Sequence, residues 1–185
     1  MRGRKKIVAI SGSTRLHSTN LGLINAIIDL FSENYDFRIF RGLSDLPHFN
    51  PDLDTDNVPQ AVSDFRNLLR SADGILICTP EYAMGVPGTL KNAIDWTVSS
   101  MEFSHKPVAL ITASSDGKRA HRSLLETLRI IESDIPESSQ LLIPFVKTKI
   151  KGDKITDTDT FGLVKDLIKS LAGTIDKNSD ANKSI

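Results

Sequence analysis

Short apolar runs alternate with segments of helical periodicity along most of this chain. Runs such as residues 7–10 and 74–79 suit strands that are buried on both faces. Between them, Leu21, Ile24 and Ile28 recur at the spacing of one helix face. Because strand and helix alternate about five times, the pattern predicts an α/β fold with an open parallel sheet and helices on both faces.

The five predicted strands have no linker or internal repeat between them. They lie at residues 7–10, 37–40, 74–79, 107–112 and 141–146. We therefore expect a single domain over residues 1–185, with a polar, frayed tail from about 174 to 185. In such a sheet, ligands bind beyond the carboxyl ends of the strands. The loops after Ile10, Thr79 and Thr112 are thus the expected site.

The loop after the first strand, residues 11–20, is rich in hydroxyl groups and leads directly into a helix. A helix N-terminus presents unpaired N–H groups that bind anions, and Arg15 adds a permanent charge. The loop lacks the glycine–lysine pattern of ATP-binding loops and the Gly-x-Gly-x-x-Gly fingerprint. Simple helix capping is the alternative, but five hydroxyl residues exceed what capping needs. The further candidate ligands are Ser11, Ser13, Ser18, Thr19 and Asn20.

The loop after the third strand contains two prolines and two glycines before the next helix. Such a rigid loop can offer backbone N–H groups to the edge of a planar ligand, and Tyr82 adds an aromatic side chain. An ordinary rigid connection is the alternative. The candidate residues are Pro80, Glu81, Tyr82, Ala83, Met84 and Gly85.

Taken together, these loops resemble those of the NAD(P)H-dependent FMN reductases, a family with quinone-, azo-dye- and chromate-reducing members. The resemblance extends from about residue 6 to residue 172. It implies a flavodoxin-like three-layer sandwich with the strand order 2-1-3-4-5. The motifs that carry it are Gly12-Ser13-Thr14-Arg15, Ser18-Thr19-Asn20, Pro80-Glu81-Tyr82, Gly85-Val86-Pro87-Gly88 and Leu90-Lys91-Asn92-Ala93-Ile94-Asp95-Trp96.

The resemblance also implies a role for each loop. The first loop would hold the FMN phosphate, and residues 80–85 would border the isoalloxazine ring. Ala83 stands where relatives often have an Asn that bonds the flavin. In the loop after the fourth strand, Ser114 and Ser115 suit the pyrimidine edge or the ribityl chain.

That last loop departs from the family pattern, because it is shorter and lacks a Gly-Gly pair. Lys118, Arg119 and His121 could meet a phosphate of the nicotinamide dinucleotide, or they could form a solvated helix start. The basic residues favour NADPH over NADH. Asp116 is the expected cap of the following helix.

The implied activity is hydride transfer from NAD(P)H to bound FMN and then to a quinone, dye, oxidised metal or free flavin. The chemistry is the flavin's, so no catalytic side chain is predicted. The resemblance further implies a homodimer or homotetramer. The alternatives are an FMN-binding electron carrier and a flavin-sensing module, neither of which would turn over NAD(P)H.

Composition restricts the remaining possibilities. Lys plus Arg and Asp plus Glu each number 23, which disfavours nucleic acid as a partner. The single cysteine excludes an internal disulfide, and four scattered histidines indicate no metal site. No apolar run approaches the roughly 20 residues of a membrane span. Too few apolar residues follow the basic N-terminus for a signal peptide, so we expect a cytoplasmic protein.

Overall fold

The computed structural model describes residues 4–181, and its centre is a five-stranded parallel sheet. The strands are β1 (Lys5–Ser11), β2 (Tyr35–Phe40), β3 (Gly74–Thr79), β4 (Val108–Ala113) and β5 (Gln140–Ile143). Their order in the sheet is β2-β1-β3-β4-β5, which confirms the predicted order. All four neighbouring pairs are parallel.

Helices cover both faces of the sheet. Because side chains alternate along a strand, Val8 and Ile10 of β1 pack on one face, while Ile7 and Ala9 pack on the other. The second to fourth helices cover the first of these faces, and the first and last cover the other. The helices are α1 (Thr19–Phe31), α2 (Gln60–Arg70), α3 (Gly88–Asp95), α4 (Lys118–Ile130), α5 (Val146–Lys149) and α6 (Thr158–Ala181).

The end of β1 lies very close to the end of β3. The backbone N–H of Gly12 donates to the carbonyl of Cys78 at 2.8 Å. A Cβ at position 12 would lie 2.4 Å from Oγ1 of Thr79, so only glycine fits without a shift of the strand ends. This close approach places the first and second loops side by side at the carboxyl edge of the sheet.

A small hairpin follows α5 and packs against α1. It consists of β6 (Ile150–Lys151) and β7 (Lys154–Ile155), and the sequence pattern does not predict it. The absence of a side chain at Gly22 permits the contact, because a Cβ there would lie 2.3 Å from the carbonyl oxygen of Gly152. The hairpin thereby supports the helix that begins in the first loop.

Two predicted boundaries differ from the structure by three residues or more, and both are wrong. The fifth strand was expected to reach Val146, but β5 ends at Ile143 because Phe145 adopts a left-handed backbone and Val146 opens α5. The tail was expected to fray from residue 174, but α6 continues to Ala181 and buries Ile175, which is 3% exposed. Residues 1–3 of the basic N-terminus and residues 182–185 of the expected tail lie outside the described residues.

Cys78 lies in the middle layer, on β3, and is fully buried. Burial raises the pKa of its thiol far above the ordinary value. Within residues 4–181, no helix is long and apolar enough to cross a membrane.

Candidate functional site

An open cleft of about 400 Å³ lies beyond the carboxyl ends of β1, β3, β4 and β5. It brings together ten of the fourteen predicted site residues, drawn from all three expected loops. The residues that line it are Ser13, Arg15, Ser18, Thr19, Asn20, Pro80, Glu81, Tyr82, Ala113, Ser114, Ser115, Phe145, Val146, Lys147 and Thr148.

Four predicted residues do not line this cleft. Ser11 is buried beside it, and its hydroxyl donates to the carbonyl of Ser13 at 3.1 Å, which shapes the first loop. Ala83, Met84 and Gly85 lie in a tight turn closed by reciprocal 2.9 Å backbone bonds between Tyr82 and Gly85. The backbones of Ala83 and Met84 are left-handed, with φ of 48° and 63°. The contact of these four residues with a flavin stays a prediction.

Two hydroxyl groups of the first loop that line the cleft, those of Ser18 and Thr19, form no hydrogen bond to another of residues 4–181. Ser18 is the N-cap residue of α1, yet its side chain makes no capping bond. The first turn of α1 contains no acidic residue that would neutralise its N-terminal partial charge. Among the described residues, none pairs with the guanidinium of Arg15. Capping therefore does not explain this loop, and its donors remain available to an anion.

Asn20 presents an unsatisfied acceptor at the cleft. Its side chain is 3% exposed, and its amide nitrogen donates to the carbonyl of Ala113 at 3.0 Å. None of residues 4–181 donates to its Oδ1. Because a buried polar atom without a partner is destabilising, this oxygen suits a ligand that carries a hydrogen-bond donor, such as a hydroxyl group.

Tyr82 joins the first and second loops across the cleft. Its hydroxyl lies 3.1 Å from Oγ of Ser13, and either atom can donate. The ring itself is about half exposed. A planar ligand seated between these loops would therefore meet an aromatic surface whose orientation is fixed at its polar end.

Glu81 joins the second loop to the third. Its Oε2 accepts the backbone N–H groups of Arg119 at 3.0 Å and Ala120 at 2.9 Å, in the first turn of α4. Its own N–H donates to Oγ of Ser114 at 3.3 Å. The expectation that Asp116 caps α4 is therefore wrong. The N-cap is Gly117, which has no side-chain cap, and Glu81 supplies the acceptor from another loop.

The basic residues at the start of α4 lie outside the lining of the cleft. The guanidinium of Arg119 contacts Sδ of Met84 at 3.2 Å. Nδ1 of His121 lies 2.9 Å from Oγ1 of Thr112, and burial lowers the pKa of the imidazole. Whether these residues meet a dinucleotide phosphate stays a prediction.

Residues 145–148 form a wall of the cleft that the sequence pattern does not predict. We call this segment, which follows β5 in the chain, the β5 wall. In the sequence, its first residues extend the apolar run that begins at Leu141. Pro144 is the one sequence signal that the strand ends before this segment, because proline cannot donate to a strand ladder and often marks the end of a strand. Within the described part of the chain, no group of His, Cys, Asp or Glu could hold a metal ion.

Comparison with known sequences gives a consistent result. The family model described as NADPH-dependent FMN reductase matches residues 5–148. The NAD(P)H-dependent FMN reductase of Pseudomonas aeruginosa is 36% identical over 132 residues, which are 69% of this chain and 71% of that protein. The NADPH azoreductase of a Bacillus species is 38% identical over 61% of each chain. The probable NADPH:quinone oxidoreductase 2 of rice is 36% identical over 64% of this chain and 60% of its own length.

Solved structures confirm the flavodoxin-like fold. FerB, a flavoenzyme NAD(P)H:acceptor oxidoreductase from Paracoccus denitrificans, superposes with a TM-score of 0.76 at 24% identity. That match covers 94% of this chain and 98% of FerB. An archaeal flavodoxin superposes with a TM-score of 0.62 at 14% identity, covering 92% of this chain and 99% of the flavodoxin.

Proposed function

The chain belongs to the NADPH-dependent FMN reductase family, and from this membership we propose that the protein is an FMN-containing oxidoreductase. It passes reducing equivalents from NAD(P)H to a small-molecule acceptor. One observation supports the cofactor's location above all others: the buried Oδ1 of Asn20 lacks a donor at the wall of a cleft that already presents free hydroxyls and Arg15. This combination of donors with one unsatisfied acceptor fits a ligand with a phosphate and hydroxyl groups.

The residues of the cleft divide into three groups by the part of FMN that each would hold. Arg15, Ser18, Thr19 and the N-terminal N–H groups of α1 would bind the phosphate. Asn20 would accept a hydrogen bond from the ribityl chain through its free oxygen. The flavin ring would lie among residues of the second and third loops, which are Pro80, Tyr82, Ser114 and Ser115.

Bound FMN supplies the site that accepts hydride from NAD(P)H and returns two electrons to the acceptor, so that NAD(P)H, a proton and a quinone become NAD(P)⁺ and a hydroquinone. The chain itself binds and orients. Glu81 fixes the second loop against α4 and the third loop, so that both are held in position before a ligand arrives. Backbone N–H groups in these loops would stabilise negative charge that develops on the ring.

The acceptor belongs to the class of small, reducible organic molecules. Related proteins are named for azo dyes and for quinones. Oxidised metal ions and free flavin are further candidates. We also propose a cytoplasmic homodimer or homotetramer, as in the family. Light scattering after size-exclusion chromatography would test the oligomeric state.

The proposal is tested first by anaerobic titration of the FMN-loaded protein with NADPH and, separately, with NADH, while the visible absorbance of the flavin is followed. Prompt bleaching is expected, and the more effective donor identifies the physiological one. Tight FMN binding without bleaching by either donor would indicate an electron carrier or a sensor instead. Failure to bind FMN would refute the proposal.

Arg15→Ala tests the position of the phosphate. Because hydrogen bonds to charged groups contribute about 1.5–3 kcal/mol, the variant should bind FMN about 10- to 100-fold more weakly. The matched control is Arg129→Ala, which removes an exposed arginine at the far end of α4. Equal FMN affinities in the two variants would contradict the assignment of the first loop.

A further inference from the structure

Phe145 combines two features that are unfavourable for an ordinary surface residue. Its φ and ψ are 53° and 37°, a left-handed conformation that a bulky side chain rarely adopts. Its side chain is also 68% exposed, although it is large and apolar. It lines the cleft directly.

The structure around Phe145 holds this conformation in place. Its N–H donates to the carbonyl of Ser115 at 3.1 Å, and the N–H of Val146 donates to the carbonyl of Ser114 at 3.1 Å. Two backbone hydrogen bonds, from Phe145 and Val146, thus join the β5 wall to the third loop. Strained conformations that are fixed in this way concentrate at ligand-binding positions. The result here is an aromatic ring presented to the cleft.

Lys147 adds a positive charge to the same wall. No hydrogen bond or ion pair joins its ammonium group to another of residues 4–181. Of the described residues that line the cleft, Glu81 alone is acidic, and its Oε2 already accepts two backbone N–H groups of α4. With Arg15 assigned to the FMN phosphate, Lys147 is the remaining cation in the described lining of the cleft.

We propose that the β5 wall recognises the electron acceptor and favours a planar aromatic acceptor that carries a negative charge. The ring of Phe145 packs against the acceptor ring, and the ammonium of Lys147 attracts its anionic substituent. Sulfonated quinones and ring-hydroxylated quinones that are ionised at neutral pH have this chemistry. The inference rests on the proposed function, because it assigns the acceptor side of the same cleft.

The charge component is tested with Lys147→Gln and two acceptors, 1,4-naphthoquinone and its 2-sulfonate. The measured quantity is kcat/KM for the sulfonate divided by kcat/KM for the neutral quinone. We expect this ratio to fall about two- to fivefold, the factor that corresponds to one solvent-exposed ion pair. Raising the ionic strength to about 0.5 M should lower the ratio in the unsubstituted protein and leave it nearly constant in the variant.

Lys154→Gln is the matched control, since it removes an exposed lysine on β7 that does not line the cleft. Its ratio should equal that of the unsubstituted protein. FMN affinity is measured for each variant. Weaker FMN binding by Lys147→Gln without a change in the ratio would assign this lysine to the cofactor phosphate and overturn the proposal. An equal fall of the ratio in both lysine variants would show a general charge effect and would also overturn it.

The aromatic component is tested with Phe145→Gly. Glycine adopts the left-handed backbone freely, so the variant should unfold at the same temperature or higher. We nevertheless expect KM for both quinones to rise about two- to tenfold, the range that corresponds to the removal of one aromatic pair. The control is Ile130→Ala, which truncates an exposed apolar residue at the end of α4. A more stable glycine variant with unchanged KM values would show that Phe145 does not contact the acceptor.

Failure of this inference is distinguishable from failure of the proposed function. If NADPH bleaches the flavin and the unsubstituted protein reduces quinones, the proposed function holds. The variants then decide the inference alone. If the unsubstituted protein reduces neither quinone, the proposed acceptor class and the inference both fail, whereas bleaching by NADPH still reports on the reductase half of the reaction.

Discussion

The carboxylate of Glu81 caps α4 from a different loop. Its removal should destabilise both the start of this helix and the position of the second loop at the cleft. Glu81→Ala deletes the acceptor for the N–H groups of Arg119 and Ala120. Glu81→Gln retains an oxygen but removes the negative charge. Asp116→Ala is the matched control, because Asp116 precedes the same helix and does not cap it.

The expected loss of stability follows from the helix cap and the negative charge that Glu81 provides. A helix cap contributes about 1 kcal/mol, and a negative charge at a helix N-terminus adds about 0.3–1 kcal/mol. Glu81→Ala should therefore lower the free energy of unfolding by about 1–2 kcal/mol. Glu81→Gln should lower it by about half as much. Asp116→Ala should change it by less than about 0.5 kcal/mol, as is usual for an exposed residue that makes no such bond.

Urea denaturation gives the free energy of unfolding, and a thermal melt should show Tm falling by roughly 2–8 °C for Glu81→Ala in a protein of this size. Hydrogen exchange should show faster exchange at the amide of Ala120 in that variant. FMN affinity should also fall, since Glu81 fixes the second loop to the third. Equal stability of Glu81→Ala and Asp116→Ala would refute the capping role.

Three further predictions concern single residues. Met84→Gly should raise the free energy of unfolding, measured by urea denaturation, by about 1 kcal/mol. The backbone of Met84 is left-handed, with φ of 63°, which glycine adopts without strain, and the side chain that is removed is 64% exposed. A loss of stability would contradict strain in this turn. Burial lowers the pKa of His121 in the folded state from the ordinary value of about 6.5. Between that pH and the folded-state pKa, the unfolded protein therefore binds more protons than the folded protein. The free energy of unfolding should therefore decrease as pH falls from 7 through the folded-state pKa. Urea midpoints measured across this pH range should show a smaller decrease for His121→Gln than for the unsubstituted protein. Gly22→Ala should destabilise the protein by about 1–3 kcal/mol, because the new Cβ would lie 2.3 Å from the carbonyl oxygen of Gly152. Gly173→Ala, where a Cβ meets nothing within 4 Å, should instead stabilise the helix by up to about 1 kcal/mol, and a similar gain at position 22 would refute the clash.

The positions of the strands and most of the cleft lining were predictable because their signals are local, whereas the strand order was predicted from the family resemblance. Each buried strand contains its own apolar run, and each loop at the carboxyl edge contains its own polar residues. Ser13, Arg15 and Asn20 could thus be singled out without knowledge of any contact. The parallel sheet then brings the three loops together as a consequence of its topology.

The predictions failed where long-range contacts decide the structure. Nothing near Glu81 indicates that it caps a helix that begins 37 residues later, at Lys118. Phe145 follows an apolar strand and carries no sign of a left-handed backbone, which bonds to the third loop hold in place. Likewise, the polar residues after 174 give no local sign of packing, but Ile175 fills space above Gly74 in β3.

The burial of Cys78 has a consequence for the chemical durability of the protein. Quinones are electrophiles that alkylate thiolates, and partly reduced acceptors generate peroxide that oxidises them. The only thiol of this chain is fully covered on the central strand, and its raised pKa keeps it protonated. A catalyst that handles such reagents can thus operate through many turnovers without arylation or sulfenic acid formation at cysteine.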